Sequence, residues 1–426
     1  MRSKAIRACP VIFVLFSLLP FRGVAYGVFA HEAIVDAAWE KAIVPLLKLK
    51  YPASTDSELV LAHAYAYGGA VAPDMGYYPK GSRFFTDLVH YVRSGDMAEA
   101  LLRNAQTLNQ YAFALGFLSH YEADNYGHPL GTNRSVTLVY EKLQRKYGNN
   151  ITYAQNKIAH VRMEFGFDVL EIAKGNYASQ SYRNLIGFKV DTTVLSKAFM
   201  ETYGLDINDV FHHHFSGSVE TFRWVVANIF PLITRAAWAR KKDFIKEQDS
   251  TATARTFNYK MRRRNYNKEY GVGYKSPGFS PWLFSFFVRV LPKVGPLRAL
   301  KFKAPVPQAE KYFAESFDTS LRNYTNNLQK LYSRTIPLSD MDFDTGKPTA
   351  QSEYILADKA YRDLVIELYA SGFKNMSPAL KQNISNFYSS DSAPAFKRHK
   401  AKNAAVFDAA LRTLRSANSP GTAVMP

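Results

Sequence analysis

Cysteine is nearly missing from this sequence: Cys9 is the only one among 426 residues. It lies inside a leader-like segment, in no lipobox-like context, so a chain that loses the leader has no thiol and no disulfide framework. A hydrophobic core, or bound metal ions, must then hold the fold together. Long apolar runs are missing too. The most apolar stretch, residues 11–20 (VIFVLFSLLP), falls short of the about 20 residues that span a bilayer, which argues against a membrane anchor. Alternating strand patterns are sparse, which disfavours a sheet-based fold. Acidic residues are few beside basic ones, 36 against 54, for a formal charge of +18.

What is present begins with a targeting signal. Arg2, Lys4 and Arg7 make a positive start and residues 11–20 an apolar centre. Gly23, Val24 and Ala25 then put small side chains before a cleavage point after Ala25. The expectation is export, to the periplasm or beyond, with residues 1–25 removed. Cleavage takes away four basic residues (Arg2, Lys4, Arg7 and Arg22) and no acid, leaving +14. Such a surface attracts anionic partners, acidic lipid headgroups or nucleic acid, without choosing between them. A hydrophobic fraction of 47% is ordinary for a globular chain and excludes disorder over most of its length.

From residue 30 to about residue 234 the periodicity is helical. Apolar residues recur every three to four positions in 31–48, 56–69, 96–121, 133–147, 151–174 and 217–240. Gly and Pro gather in the connections at 68–81 and 127–131. Together these predict a helical bundle with functional loops. Beyond residue 241 the composition changes: 241–280 is polar and basic, and 281–303 joins aromatic to basic residues. There Trp282, Phe286 and Arg289 could share a face that meets an anionic membrane surface. Helical patterns return at 308–333, 352–371 and 398–416, and 417–426 reads as a disordered tail. The expected architecture is all-α: a leader over 1–25, a bundle carrying the candidate site over 26–240, a C-terminal helical extension over 241–416, and the tail.

Five of the ten histidines fall in a pattern with carboxylates. His120 and Asp124 stand four apart in GFLSHYEADNYGHPLG, so on a helix both side chains leave one face. His128 follows Gly127, where that helix is expected to end. His160 and Glu164 repeat the four-residue spacing. Asp74 lies in a loop, His90 on the helical stretch FFTDLVHYV, and His31 opens the first helix of the mature chain. One His–acid pair is more often a surface salt bridge. Two such pairs with further donors on a cysteine-free chain point to metal, because zinc takes imidazole nitrogen and carboxylate oxygen. Helical bundles build such sites from inward-facing pairs. His63 reads as a core residue, and His212, His213 and His214 as surface or structural ones.

The order His31, Asp74, His90, His120-x3-Asp124-x3-His128, His160-x3-Glu164 resembles the zinc-dependent phospholipase C family. It is similar also to the S1/P1 nucleases, and GFLSHYEADNYGHPLG resembles a stretch of glycosylphosphatidylinositol-specific phospholipase D. The resemblance spans residues 26–240 and implies an all-helical fold with three zinc ions. By that resemblance Asp74, His90, His120 and Asp124 hold one ion. His128, His160 and Glu164 hold a second and leave positions open for water. Tyr26, His31 and Asp124 hold a third, with Asp124 bridging. Tyr26 would ligate through the free amine and carbonyl that cleavage exposes. The family usually has Trp there, and the Asp124–His128 spacing is shorter than in the bacterial phospholipases.

Zinc lowers the pKa of bound water and neutralises phosphate charge, and paired ions steady both the attacking and the leaving oxygen. Asp74 is the expected residue to orient or deprotonate the attacking water. Tyr77 and Tyr78 either bind a quaternary ammonium through their ring faces or pack the loop. The expected function is a phospholipase C acting on phospholipid, releasing diacylglycerol and a phosphorylated headgroup. The alternatives are a single-strand nuclease of the S1/P1 kind, with nucleic acid as substrate, or a non-catalytic zinc-stabilised module that binds membranes.

Overall fold

Glycine decides where the two central helices cross. The computed structural model describes residues 27–174, 189–223, 301–333, 336–389 and 401–416, with isolated positions between 225 and 250. Helix α1 (Val28–Ala38) runs through a π-helical turn (Trp39–Ile43) into α2 (Val44–Lys50). Helix α3 (Asp56–Val71) starts at a capping box: Thr55 Oγ1 accepts from the Glu58 amide, and Glu58 accepts from the Thr55 amide. A 3-10 turn (Ala72–Tyr77) leads to α4 (Arg83–Tyr91) and α5 (Ser94–Asn104). Helix α6 (Leu108–Tyr126) continues as a π-helical turn (Gly127–Thr132) into α7 (Asn133–Val139), α8 (Glu141–Tyr147) and α9 (Lys157–Lys174).

Helices α3 and α6 make the most extensive helix pair of the core. A Cβ on Gly69 would lie 2.0 Å from the Phe113 carbonyl oxygen, and one on Gly116 would lie 1.9 Å from that of Ala66. Each backbone thus touches the other where the side chain is missing. This brings the end of α3, and the turn carrying Asp74, against the middle of α6.

The remaining helices are α10 (Thr192–Tyr203), α11 (Ile207–Val210), α12 (Pro307–Lys330), α13 (Ile355–Ala370), α14 (Pro378–Phe387) and α15 (Ala401–Ser416). Helix α12 lies along α6 and the π turn. There the Tyr324 hydroxyl donates to the Leu115 carbonyl (2.9 Å) and Asn327 Nδ2 to Glu122 Oε1 (2.5 Å). The strands found among the described residues form one antiparallel hairpin, in which Met341 faces Pro348 and Asp342 faces Lys347. Helix α12, the hairpin and α13 are thus packed onto the bundle that holds the candidate site.

The all-α reading holds, but two expected helices are broken. The pattern over 96–121 divides at Ala105, because Thr107 Oγ1 accepts from the Gln110 amide and restarts the helix. The pattern over 133–147 divides at Tyr140, whose backbone leaves the helical region.

The hairpin's approach also caps α5. Its N-cap, Arg93, is left-handed and offers no side-chain cap, and Asp340 Oδ1 accepts from the Asp96 amide instead (3.1 Å). Burial, with Asp96 nearby, pushes the Asp340 carboxyl from 3.8 up to about 6. A carboxyl raised on folding contributes stability below its unfolded value and loses it as pH rises through the folded one. Asp340→Asn keeps an acceptor without the charge. It is expected to stabilise the protein at pH 7.5, by about 2–3 kcal/mol at most, and to change little at pH 3.5. Thermal melts at the two pH values check this.

Candidate metal centre

Asp124 lies at the middle of a fully buried group of imidazoles and carboxylates. Its Oδ2 is 3.2 Å from His120 Nε2, one turn back on α6, and 3.4 Å from His90 Nε2 on α4. Its Oδ1 is 3.5 Å from His31 Nε2 on α1 and 3.4 Å from His128 Nε2 on the π turn. Asp74 completes this half: Oδ1 is 3.4 Å from His90 Nε2 and Oδ2 is 4.0 Å from His31 Nε2. The rings of His31 and His120 stack at 4.2 Å.

The backbone sets the ring orientations. His90 Nδ1 lies 2.9 Å from the Thr86 carbonyl oxygen and His120 Nδ1 2.8 Å from that of Ala70. A carbonyl only accepts, so both Nδ1 atoms carry hydrogen and both Nε2 atoms turn inward. These two nitrogens stand 3.3 Å apart. Two inward-turned imidazole nitrogens at that distance need a proton or a metal ion between them.

His128 reaches into a second half. Its Nδ1 is 3.7 Å from Glu164 Oε1 and 3.9 Å from Asp344 Oδ1. His160 and Glu164, one turn apart on α9, place Nδ1 and Oε1 2.7 Å apart. Asn133 Oδ1 accepts from His160 Nε2 (2.6 Å), which leaves Nδ1 unprotonated.

Donors bonded tetrahedrally at about 2.0–2.1 Å lie about 3.3 Å from one another. Most of the spacings here fall near that value. Three donor groups are close enough to hold metal: His31, His120 and Asp124; Asp74, His90 and His120; and His128, His160 and Asp344. Both oxygens of Asp74, Asp124 and Glu164, and Asp344 Oδ1, are buried and accept no hydrogen bond. Buried carboxylates of that kind are costly unless paired or bound to metal, so the residues fit divalent cations with mixed nitrogen and oxygen ligands.

Burial works against charge throughout. It drives His31 well below the usual histidine range, aided by His120, and Glu164 well above the usual carboxylate range. At His90 burial is outweighed by the Asp124 and Asp74 carboxylates, which raise the ring to about 10. At Asp124 burial is outweighed by His120 and His128, which hold the carboxyl well below its ordinary value.

All eight described residues singled out as ligands come together: His31, Asp74, His90, His120, Asp124, His128, His160 and Glu164. Tyr26 lies outside the described residues, as do Trp282, Phe286 and Arg289. One expectation is corrected: the helix does not end before His128 but continues as the π turn, which keeps His128 on the Asp124 side. Tyr77 and Tyr78 are both almost fully buried. The Tyr77 ring stands 6.2 Å from His90 and 6.1 Å from Tyr153, while Tyr78 packs on Phe222 at 4.5 Å. Arg83 sits over Tyr77 (5.3 Å), and Lys157 over Tyr153 (5.1 Å), whose ring meets His160. His63 is held by Asp36 (3.0 Å) and stacked on Trp39 away from this cluster, as its core reading expects.

Among the buried acids that sequence does not single out, two stand close to this group. Asp168, one turn beyond Glu164, closes on the start of α1, where a Cβ on Gly27 would lie 2.0 Å from Asp168 Oδ2. The other is Asp344, far along the chain. Its signal was the alternation of acids before Thr-Gly in DMDFDTG, a turn-forming pattern in which Asp side chains bond nearby amides. Asp342 Oδ1 does accept from the Asp344 amide (3.0 Å).

Among known proteins, residues 30–213 match the family model described as zinc dependent phospholipase C. No curated protein and no solved structure matches the chain. The matched stretch is just under half of the sequence, contains His31 through Glu164, and ends before Asp344. Over residues 30–213 the chain is thus similar to the zinc-dependent phospholipase C family, and the helical architecture and the buried His and Asp groups agree with that match.

Proposed function

We propose that this chain is an exported, zinc-dependent phosphodiester hydrolase that acts as a phospholipase C, releasing diacylglycerol and a phosphorylated headgroup. The observation that carries the reading is the sharing of Asp124, each of whose oxygens faces two imidazoles from different elements. That arrangement suits a bridging carboxylate between neighbouring ions. Asp74, His90, His120 and Asp124 would hold one zinc; His128, His160 and Glu164 a second; His31 and Asp124, with the amine and carbonyl of Tyr26, a third. Bound there, zinc supplies water of lowered pKa and neutralises phosphate charge.

The chain's own groups do the rest. Asp74 stands between His90 and His31, placed to orient the attacking water and accept its proton. Arg83 and Lys157 put positive charge over the Tyr77 and Tyr153 rings, beside His90 and His160, which suits an anionic phosphodiester. Tyr77 is the better placed of the two tyrosines to meet a headgroup. No helix among the described residues is long and apolar enough to cross a membrane. Contact with an anionic membrane surface is assigned to the segment around Trp282, Phe286 and Arg289.

Zinc-replete protein processed after Ala25 is expected to release diacylglycerol from phosphatidylcholine vesicles. Chelation should abolish this and added zinc restore it. Nucleotide release from single-stranded DNA without lipid cleavage would move the protein to the nuclease reading. Failure on both substrates and on a small phosphodiester would leave only a metal-stabilised binding module.

A further inference from the structure

Asp344 reaches the centre from 131 residues beyond the end of the family match at residue 213. Its loop is drawn in from several directions. The Tyr121 hydroxyl donates to the Ser339 carbonyl (2.8 Å), and the Phe343 amide to the His90 carbonyl (3.2 Å). The Phe343 ring lies against those of His90 (5.4 Å) and Tyr121 (5.5 Å). Gly346, at φ +67°, brings the turn so close to α6 that a Cβ there would lie 2.6 Å from the Asn125 carbonyl oxygen.

The two oxygens of Asp344 are used differently. Oδ2 accepts from the Tyr153 amide (2.9 Å) and from the Tyr354 hydroxyl. Oδ1 is buried, accepts no hydrogen bond, and points at His128 Nδ1 (3.9 Å) and His160 Nε2 (3.6 Å). Asn133 joins the two residues, since its Nδ2 donates to the Asp344 carbonyl (2.7 Å) while its Oδ1 accepts from His160. One oxygen fixed by donors, with the other left bare toward the inward nitrogen of His128, is how a metal-binding carboxylate is oriented by its outer partners.

We propose that Asp344 ligates the same ion as His128, His160 and Glu164, giving that ion four protein donors, one of them from outside the family-matched segment. This rests on the metal-centre reading above and revises one part of it. Three protein donors leave a position open for water, as catalytic zinc sites do, whereas four close a tetrahedral shell, as structural sites do. The ion at the His128 end would then fix the geometry and the local charge.

The test is metal retention in the full chain. Wild type, Asp344→Asn, Tyr354→Phe and Asp340→Asn are loaded with zinc, dialysed against a competing chelator, and analysed by elemental mass spectrometry. Cobalt-substituted samples are compared by visible absorption. Asp344→Asn is expected to lose one equivalent that wild type keeps, with more than about a hundredfold weaker binding of that ion, and to lose tetrahedral cobalt absorption. Tyr354→Phe leaves the carboxylate in place but removes one of the two donors to Oδ2, and should weaken the same equivalent by about tenfold. Asp340→Asn, on the same loop but turned toward α5, should keep wild-type content. Unchanged retention and spectra in both Asp344→Asn and Tyr354→Phe would overturn the proposal while leaving the metal centre standing. A wild-type chain that holds no metal would overturn both.

Discussion

Asp124→Ala is expected to lower turnover by at least about a thousandfold, roughly 4 kcal/mol of barrier, and to remove more than one metal equivalent. The size follows from sharing. A ligand that serves one ion weakens one site when lost, and loss of an outer hydrogen-bonding partner alone costs about 10–100-fold. Asp124 presents one oxygen to His120 and His90 and the other to His31 and His128, so its loss strips charge from both halves. Asparagine should not rescue, because an amide nitrogen would face inward-turned imidazole nitrogens and the negative charge would still be missing. Activity assays with elemental analysis of the same samples decide it. Near-normal turnover at full metal content would remove the bridging role.

Gly116→Val is expected to give little or no folded protein. A Cβ at this position would lie 1.9 Å from the Ala66 carbonyl oxygen and 2.7 Å from the Ala66 carbonyl carbon. Those are rigid backbone atoms, so α3 and α6 would have to separate by more than an ångström. Overpacking at a close-packed interface costs about 1–3 kcal/mol where side chains can give way, and more where they cannot. A loss above about 4 kcal/mol is a large part of the about 5–15 kcal/mol that holds a typical domain. Any chain that did fold would carry a displaced Ala70 carbonyl, the acceptor that orients His120. The contrasting site is Gly217, where a Cβ would meet nothing within 4 Å. Alanine there should be neutral or slightly stabilising. Circular dichroism and soluble yield of the two variants make the comparison.

What the sequence made legible tracks what is local. His120 with Asp124, and His160 with Glu164, were readable because a helix turns spacing of four into a shared face. The break at Ala105 and the π turn after Tyr126 escaped the pattern. Apolar spacing continues across a one-turn interruption, and only the Thr107–Gln110 cap and the Gly127-His-Pro sequence mark the change. Asp344 was out of reach for another reason. No periodicity ties a turn residue to a helix 180 positions earlier, from Glu164, and only tertiary packing of the hairpin brings them together. The resemblance also supplied His31, Asp74 and His90, which composition and spacing alone left as isolated donors.

The carbonyls that pin His90 and His120 have a consequence for how the protein acquires its cargo. Thr86 offers its oxygen to His90 within α4, and Ala70 offers its oxygen to His120 once α3 packs on α6. Small zinc modules are nucleated by their metal. Here two of the rings are oriented by backbone carbonyls of the packed bundle, so part of the cage is set by the fold itself. The liability is mismetallation. A set of mixed nitrogen and oxygen donors does not by itself select zinc, and copper outcompetes zinc at most such sites. Fidelity would then depend on the ions available where the protein matures.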